Sequence, residues 1–407
     1  MRSFFMQFLT IFTKIAGRAP GAGASGQDTD SDAGIMRFSP VSFGNVSYAG
    51  DVLLTGATGF LGSHLLHGII TGSAADVYCL VRGKDRPGAE ERLLDRLEFY
   101  FGRTFVQSAR NRIHVVLGDF TLEKFGLGDD EYRSLGGRVR RVIHSGALVK
   151  HYGDSRLFEK TNCYGTEQAA VFAETFGLQL SHISTVSVAG IFESRSGETC
   201  RFSESDIYMG SFPEDNIYIK SNIMAERIIV DRISGNNLNA GIFRVGNLTG
   251  RFSDGVFLQN GDENLFYNRI RSIIISGVIP DNILETEVDL TPVDLCCEAV
   301  WKIIQKYENK ADIYHVFNNN RLTVSRLVEL LNSIGKKIDV IDQGSYARRI
   351  RELYGKDADT AMLQSFIMKN VVPTPSFVVN VMFPPKRPLK LLEIYTKQAA
   401  SSINNAF

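Results

Sequence analysis

The sequence predicts an α/β chain, a doubly wound parallel sheet followed by a smaller, helix-rich C-terminal region. Three patterns carry that expectation. From Asp51 onward, short apolar runs alternate with longer stretches of helical period, the rhythm of parallel strands joined by crossover helices. The first run, ending at Thr55, leads through a glycine cluster into a helix. Beyond Ser253 the pattern turns mainly helical, with Leu327, Val328, Leu330, Leu331 and Ile334 on one stripe.

In order, the expected strands are Val52–Thr55, Val77–Arg82, Ile113–Gly118, Arg141–His144, Leu180–Ser184, Ala240–Val245 and Ile313–Phe317. The stretches Leu61–Ile70, Glu90–Phe101, Arg156–Thr175 and Ile219–Ile233 are expected helices between them. Residues 1–35 read as a tail and linker, 36–252 as a dinucleotide-binding domain, and 253–407 mainly as a substrate-binding lid, with 311–320 returning as a sheet strand. Ligands of such sheets bind at the carboxyl edge, where that lid would lie.

The chain has 407 residues, 44% hydrophobic and 22% charged, an ordinary globular balance with room for a sizeable core. Lys+Arg and Asp+Glu are both 45, and no basic tract is in view, so the electrostatic footprint of a nucleic-acid binder is missing. Cys79, Cys163, Cys200, Cys296 and Cys297 follow no paired spacing, which points to neither a zinc site nor a disulfide framework. His64 and His67 share a helical face but lack a third ligand, so they read as ordinary helix residues rather than a metal site.

Cofactor chemistry begins at the first turn. Thr55-Gly56-Ala57-Thr58-Gly59-Phe60-Leu61-Gly62 follows a strand and opens a helix, the context that makes a Rossmann fingerprint informative. Gly56 permits the tight turn, Gly59 lets backbone N–H groups approach a pyrophosphate, and Gly62 allows close helix–sheet packing. The helix N-terminus then favours the anion. An NAD site usually ends its second strand in Asp or Glu, whereas Arg82 here would attract a 2′-phosphate, so NADPH is preferred. Arg92 is either a second cation for that phosphate or a solvated helix-face arginine. Asp119 and Phe120 are expected to line the adenine and Ser145, Gly146 and Ala147 the next segment, with Asn162 and Val245 completing the cofactor contacts.

Catalysis is expected where the later strands end. Ser184-Thr185-Val186-Ser187 offers hydroxyls at a strand terminus, and Tyr218 opens a helix further along. A hydroxyl can hold a carbonyl oxygen while a tyrosine delivers the proton.

Several longer blocks accompany these motifs: Cys79–Arg82, Val142–Asp154, Ile183–Gly190, Arg244–Arg251 and Thr291–Asp294. On them, from about Asp51 to Leu331, the sequence resembles the terminal thioester reductase domains of nonribosomal peptide synthetases and the related domains of carboxylic acid reductases. These are extended short-chain dehydrogenase/reductases. The resemblance implies a Thr-Tyr-Lys catalytic set, NADPH, and an acyl or peptidyl thioester on the phosphopantetheine arm of a carrier protein, or an acyl-CoA. Thr185 and Tyr218 match the family threonine and tyrosine.

The lysine does not carry over, because Asn222 stands in its place one turn after Tyr218. Lys220, two residues after Tyr218, faces nearly the opposite side of a helix. A neutral Asn222 can hydrogen-bond a ribose but cannot lower the tyrosine pKa by charge. Reduction needs a protonated tyrosine, and a pKa of about 10 already supplies one at neutral pH. The reaction implied is reduction of the thioester carbonyl, with Thr185 and Tyr218 on its oxygen and collapse to an aldehyde and a free thiol; a second round would give an alcohol. Phe257, Phe266, Tyr267 and Ile270 are acyl-pocket candidates, although core packing suits each as well. A catalytically impaired NADPH-binding homologue and a sugar-nucleotide epimerase or dehydratase of the same fold are the competing readings.

The N-terminal run Phe4, Phe5, Met6, Phe8, Leu9, Ile11 and Phe12 precedes a Gly/Ala-rich stretch and a polar linker. It is shorter than the roughly 20 apolar residues of a transmembrane helix. A signal or transit peptide fits the pattern, but an NADPH-dependent reductase has little to do outside the cytosol or an organelle. The expectation is a peripheral helix or upstream-domain remnant on a cytoplasmic chain.

Overall fold

The computed structural model describes residues 36–43, 47–149, 154–189, 200–208, 216–235, 237–257, 273–318, 322–354 and 371–373. The N-terminal apolar run, the block from Lys150 to Gly153, Gly190, and the pocket candidates Phe266, Tyr267 and Ile270 lie outside the described residues.

The expected doubly wound sheet forms. Its strands are β1 (Val41–Ser42), β2 (Asp51–Thr55), β3 (Val77–Val81), β4 (Ile113–Leu117), β5 (Val139–His144), β6 (Gln179–Thr185), β7 (Ala240–Val245) and β8 (Lys310–Val316). They lie in the order β1-β8-β7-β6-β5-β2-β3-β4. Strands β2 to β8 pair in parallel, and β1 adds an antiparallel edge on β8 that the seven-strand expectation lacked. Two residues are too few to show any periodicity, which is why β1 left no sequence signal.

Helices cover both faces. On one face, α1 (Phe60–Gly72), α2 (Arg86–Ala109) and α6 (Val293–Lys306) bury Leu65, Leu66, Ile69, Leu93, Leu97, Val300 and Ile303 against Val52, Leu54, Cys79 and Ile143. On the other, α3 (Asp129–Arg138), α4 (Gly165–Phe176) and α5 (Ile217–Ser234) pack Tyr132, Phe172, Ile229 and Ile233 against Leu53, Val142, Leu180 and Ile242. Alternate residues of each strand thus face opposite layers, as parallel strands buried on both sides must.

Two elements differ from the expected ones. The stretch read as one helix over Arg156–Thr175 is a helical turn, Ser155–Phe158, then a π-helical segment, Glu159–Tyr164, then α4. The segment read as lid before Lys310 contributes α6, which packs with α1 in the sheet's own helix layer. Its Cys296, Cys297, Val300 and Ile304 form an apolar face, and a face does not say which partner will cover it. The smaller region has its own cluster, in which Phe257, Ile273, Ile279 and Leu290 meet Leu322, Leu327, Val328 and Leu331; the last three come from α7 (Val324–Ser333), the helix expected from their spacing.

Candidate active site

The strand order reverses between β2 and β5, the place where sheets of this kind leave a crevice for a ligand. The loops after these two strands meet backbone to backbone. Gly56 has φ +73°, and a Cβ there would stand 2.7 Å from the Gly146 nitrogen and the Ser145 carbonyl carbon. Ser145 Oγ donates to the Thr55 carbonyl at 2.7 Å, and the Gly146 amide donates to Thr55 Oγ1 at 3.2 Å. A Cβ on Gly62 would lie 2.1 Å from the Gly56 oxygen, so α1 can start this close to the turn only with glycine there. The N-cap Gly59 supplies no side chain to the free amides of α1, and its first turn holds no acid. Such an end suits a pyrophosphate.

At the end of β3, Arg82 and Arg92 are both exposed, and the Arg92 guanidinium donates to the Arg82 carbonyl, which makes these two cations neighbours. The nearest acid, Asp85, caps α2 by accepting the Gly88 amide at 2.8 Å.

Thr185 ends β6, and Tyr218 is the second residue of α5, whose N-cap Asn216 accepts the Ile219 amide at 3.1 Å. The fold brings the two into a side-chain hydrogen bond. Thr185 Oγ1 accepts the Ser187 amide at 3.1 Å, which leaves its hydroxyl proton for the phenol. Burial pushes the half-buried Tyr218 phenol above the ordinary tyrosine value, and the Thr185 bond pulls it partway back. Asn222 is buried and donates from Nδ2 to the Tyr218 carbonyl at 2.8 Å, whereas Lys220 is exposed. The helix therefore places the missing-lysine position inside and the displaced lysine outside.

Other expected contacts are turned inward. Thr55 is fully buried, its hydroxyl 2.8 Å from His144 Nδ1. Asn162 accepts the Leu148 amide at 2.7 Å and donates to the Leu148 carbonyl at 3.1 Å and to Ser221 Oγ at 2.9 Å. Every polar atom of that amide is occupied, so Asn162 ties the loop after β5 to α5 and is not an open donor. Phe120 is wedged where a Cβ on Gly146 or Gly165 would come within 2.6 Å of its ring, and Asp119 accepts the Thr121 amide at 2.8 Å. Val245 is buried beside Thr185 in the sheet register. Among the remaining cofactor candidates, Thr58, Phe60, Leu61 and Ser145 are partly exposed and Ala147 is exposed. Phe257 packs edge-on against Phe60, with centroids 5.2 Å apart, inside the smaller region's core. His64 and His67 stack among Phe60, Tyr100, Phe101 and Phe105.

The family profile described as "Male sterility protein", an NAD-binding profile, matches residues 54–300, which contain this glycine turn, Thr185 and Tyr218. The chain belongs to that family. Like other proteins with similarity to this Male sterility protein family member, linear gramicidin synthase of Brevibacillus parabrevis is far longer: it is 27% identical over 332 residues, covering 79% of this chain and 6% of that protein. The chain is also 27% identical over 308 residues to L-2-aminoadipate reductase of Saccharomyces cerevisiae, covering 71% of this chain and 21% of that one. It thus spans a small part of the relatives it matches. Its structure resembles a thiolation-reductase di-domain from an archaeal nonribosomal peptide synthetase, with a TM-score of 0.67 and 28% identity over 85% of this chain and 71% of that one. The family resemblance and the fold class expected from sequence are thereby established. Among the described residues no helix is long and apolar enough to cross a membrane.

A buried polar row across the sheet is absent from the expectations drawn on sequence. His144, His182, Ser184, Arg244 and His315 stand near the carboxyl ends of β5 to β8 on the α4–α5 side, and Glu226 of α5 joins them. A signal for it exists, since these polar residues interrupt strands that are otherwise continuously apolar.

Proposed function

We propose that this chain is an NADPH-dependent reductase of acyl or peptidyl thioesters, held on the phosphopantetheine arm of a carrier protein or on CoA, and that it releases an aldehyde. The observation that carries this reading is the Thr185–Tyr218 hydrogen bond at the same sheet edge as the glycine turn. The named relatives, gramicidin synthase and aminoadipate reductase, support it.

The residues present fit a dinucleotide. The turn from Gly56 to Gly62 and the uncapped start of α1 would hold the pyrophosphate, and Arg82 with Arg92 the 2′-phosphate. When bound, the reduced nicotinamide supplies a hydride. Thr185 and Tyr218 would both donate to the thioester oxygen, where negative charge develops. Tyr218, kept protonated through neutral pH by its raised pKa, would give that oxygen its proton. The C–S bond of the adduct then breaks, the hydroxyl proton passes to sulfur, and aldehyde and thiol leave. Asp119, Phe120, Asn162, Thr55 and Val245 act as the scaffold of the crevice, and residues 253–257 and 273–292 with α7 as its substrate side. A cytoplasmic location follows from the supply of reduced cofactor and carrier.

A panel of pantetheine and CoA thioesters, with NADPH consumption followed optically and products by mass spectrometry, tests the reading. Aldehyde formation is expected. No turnover at high enzyme concentration would instead favour a cofactor-binding homologue without catalysis, the reading to which the neutral Asn222 points.

A further inference from the structure

Thr185 and Tyr218 come from different elements, and their alignment is decided below the reaction centre. Glu226 follows Tyr218 by about two helical turns and so lies on the same side of α5. Its carboxylate accepts Ser184 Oγ at 2.5 Å, Arg244 Nε at 3.0 and 3.1 Å, and Arg244 Nη2 at 2.7 Å. Ser184 immediately precedes Thr185, and Arg244 stands opposite Ser184 in the β6–β7 register, as Val245 stands opposite Thr185. Arg244 Nη1 donates to the Asp206 carbonyl at 2.8 Å and meets His315 Nε2 at 3.2 Å, while its guanidinium lies 4.6 Å over the Phe202 ring. Both ends of the ion pair are wholly buried.

We propose that Ser184 and Glu226 are positioning residues, a three-way clamp with Arg244 that fixes α5 against β6 and β7 and thereby holds the Tyr218 phenol on the Thr185 hydroxyl. Stability alone does not account for the clamp, because a buried ion pair is often no better than apolar residues of the same volume. What it supplies is direction: a forked guanidinium and a carboxylate shared with a strand hydroxyl set the rotation and height of the helix. An error of about 1 Å in such a placement costs on the order of a hundredfold in rate.

This inference rests on the proposed reductase reading for its kinetic test but not for its spectroscopic one. Ser184→Ala cuts the strand from the carboxylate and leaves the Arg244–Glu226 pair whole. It should lower kcat tenfold or more, with KM and NADPH affinity within twofold. Titration of ring-labelled tyrosines by NMR, with the Tyr218 signal identified through Tyr218→Phe, should show the phenol pKa rising further, because the Thr185 bond that lowers it is loosened. Ser184→Thr, which keeps the hydroxyl, should restore both. If Ser184→Ala is unstable, Glu226→Met combined with Arg244→Met leaves no lone buried charge, and it should fold and shift the same titration upward. An unshifted Tyr218 titration in a folded variant, or a Ser184→Thr chain as altered as Ser184→Ala, overturns the clamp. A wild-type chain that reduces no thioester overturns the proposed function, while the titration still decides the clamp.

Discussion

Asn222 donates its side-chain amide to the carbonyl of Tyr218, one helical turn back and 2.8 Å away. The position that holds a lysine in the resembled family is therefore occupied by a neutral group bound to its own helix. A lysine there would put a cation on the phenol's side of α5, and a nearby cation favours the phenolate. Asn222→Lys should move the alkaline fall in kcat about one pH unit lower and raise kcat near neutrality. A pH–rate profile checks this, and an unmoved limb would show that charge at this position does not reach Tyr218.

Tyr218→Phe removes the proton donor while keeping the ring. Turnover should drop at least a hundredfold, the usual scale of a positioned acid, with NADPH binding by fluorescence titration unchanged within twofold. Full activity in this variant would refute the role given to the phenol.

Arg82→Ala should weaken NADPH about tenfold or more and NADH little, since only the former carries the 2′-phosphate. Paired titrations with the two cofactors decide it; equal weakening would mean that the exposed cation at the end of β3 serves something else.

Gly62→Ala and Gly68→Ala make a matched pair on α1. The first drives a methyl to 2.1 Å from the Gly56 oxygen, whereas nothing lies within 4 Å of a Cβ at the second. Gly62→Ala should cost about 1–3 kcal/mol or more as an overpacked site, and Gly68→Ala should gain about 0.5–1 kcal/mol as a helix-interior glycine replaced. Thermal melts of the two should move in opposite directions.

Burial pushes His64 and His144 down to about 4, and their side chains are almost wholly enclosed. Between the ordinary value of about 6.5 and that lowered value, the unfolded chain binds protons that the folded one does not. Stability should therefore be complete above about pH 6.5 and decline as pH falls toward 4, by on the order of 3 kcal/mol for each histidine. Denaturant melts at pH 7 and pH 5 measure this; equal midpoints would contradict it.

The fold was legible where its signal is local. The seven long strands and the α1 turn follow from apolar runs and glycine spacing, because a strand buried on both faces needs continuous apolar side chains and a tight turn needs φ > 0. The helix α7 followed from Leu327, Val328 and Leu331 in the same way. The π-helical segment at Glu159–Tyr164 left no such mark, since a wider turn changes backbone hydrogen bonds without changing residue type. The pairing of α6 with α1 was equally hidden, because an apolar helix face is silent about which distant face covers it.

At the candidate site, residue types pointed to Thr185, Tyr218 and Arg82, yet the partners of Asn162, Thr55 and Glu226 did not announce themselves. The sequence by itself determined the class of fold, the glycine turn and the absence of a lysine one turn after Tyr218, since each depends on residues near one another in the chain. Only the tertiary structure decided that Asn162 is spent on Leu148 and Ser221, and that Ser184, Glu226 and Arg244 lock helix to sheet. A hydrogen bond is set by a separation of about 3 Å in space, and no spacing along a chain encodes which strand and which helix turn will arrive there together.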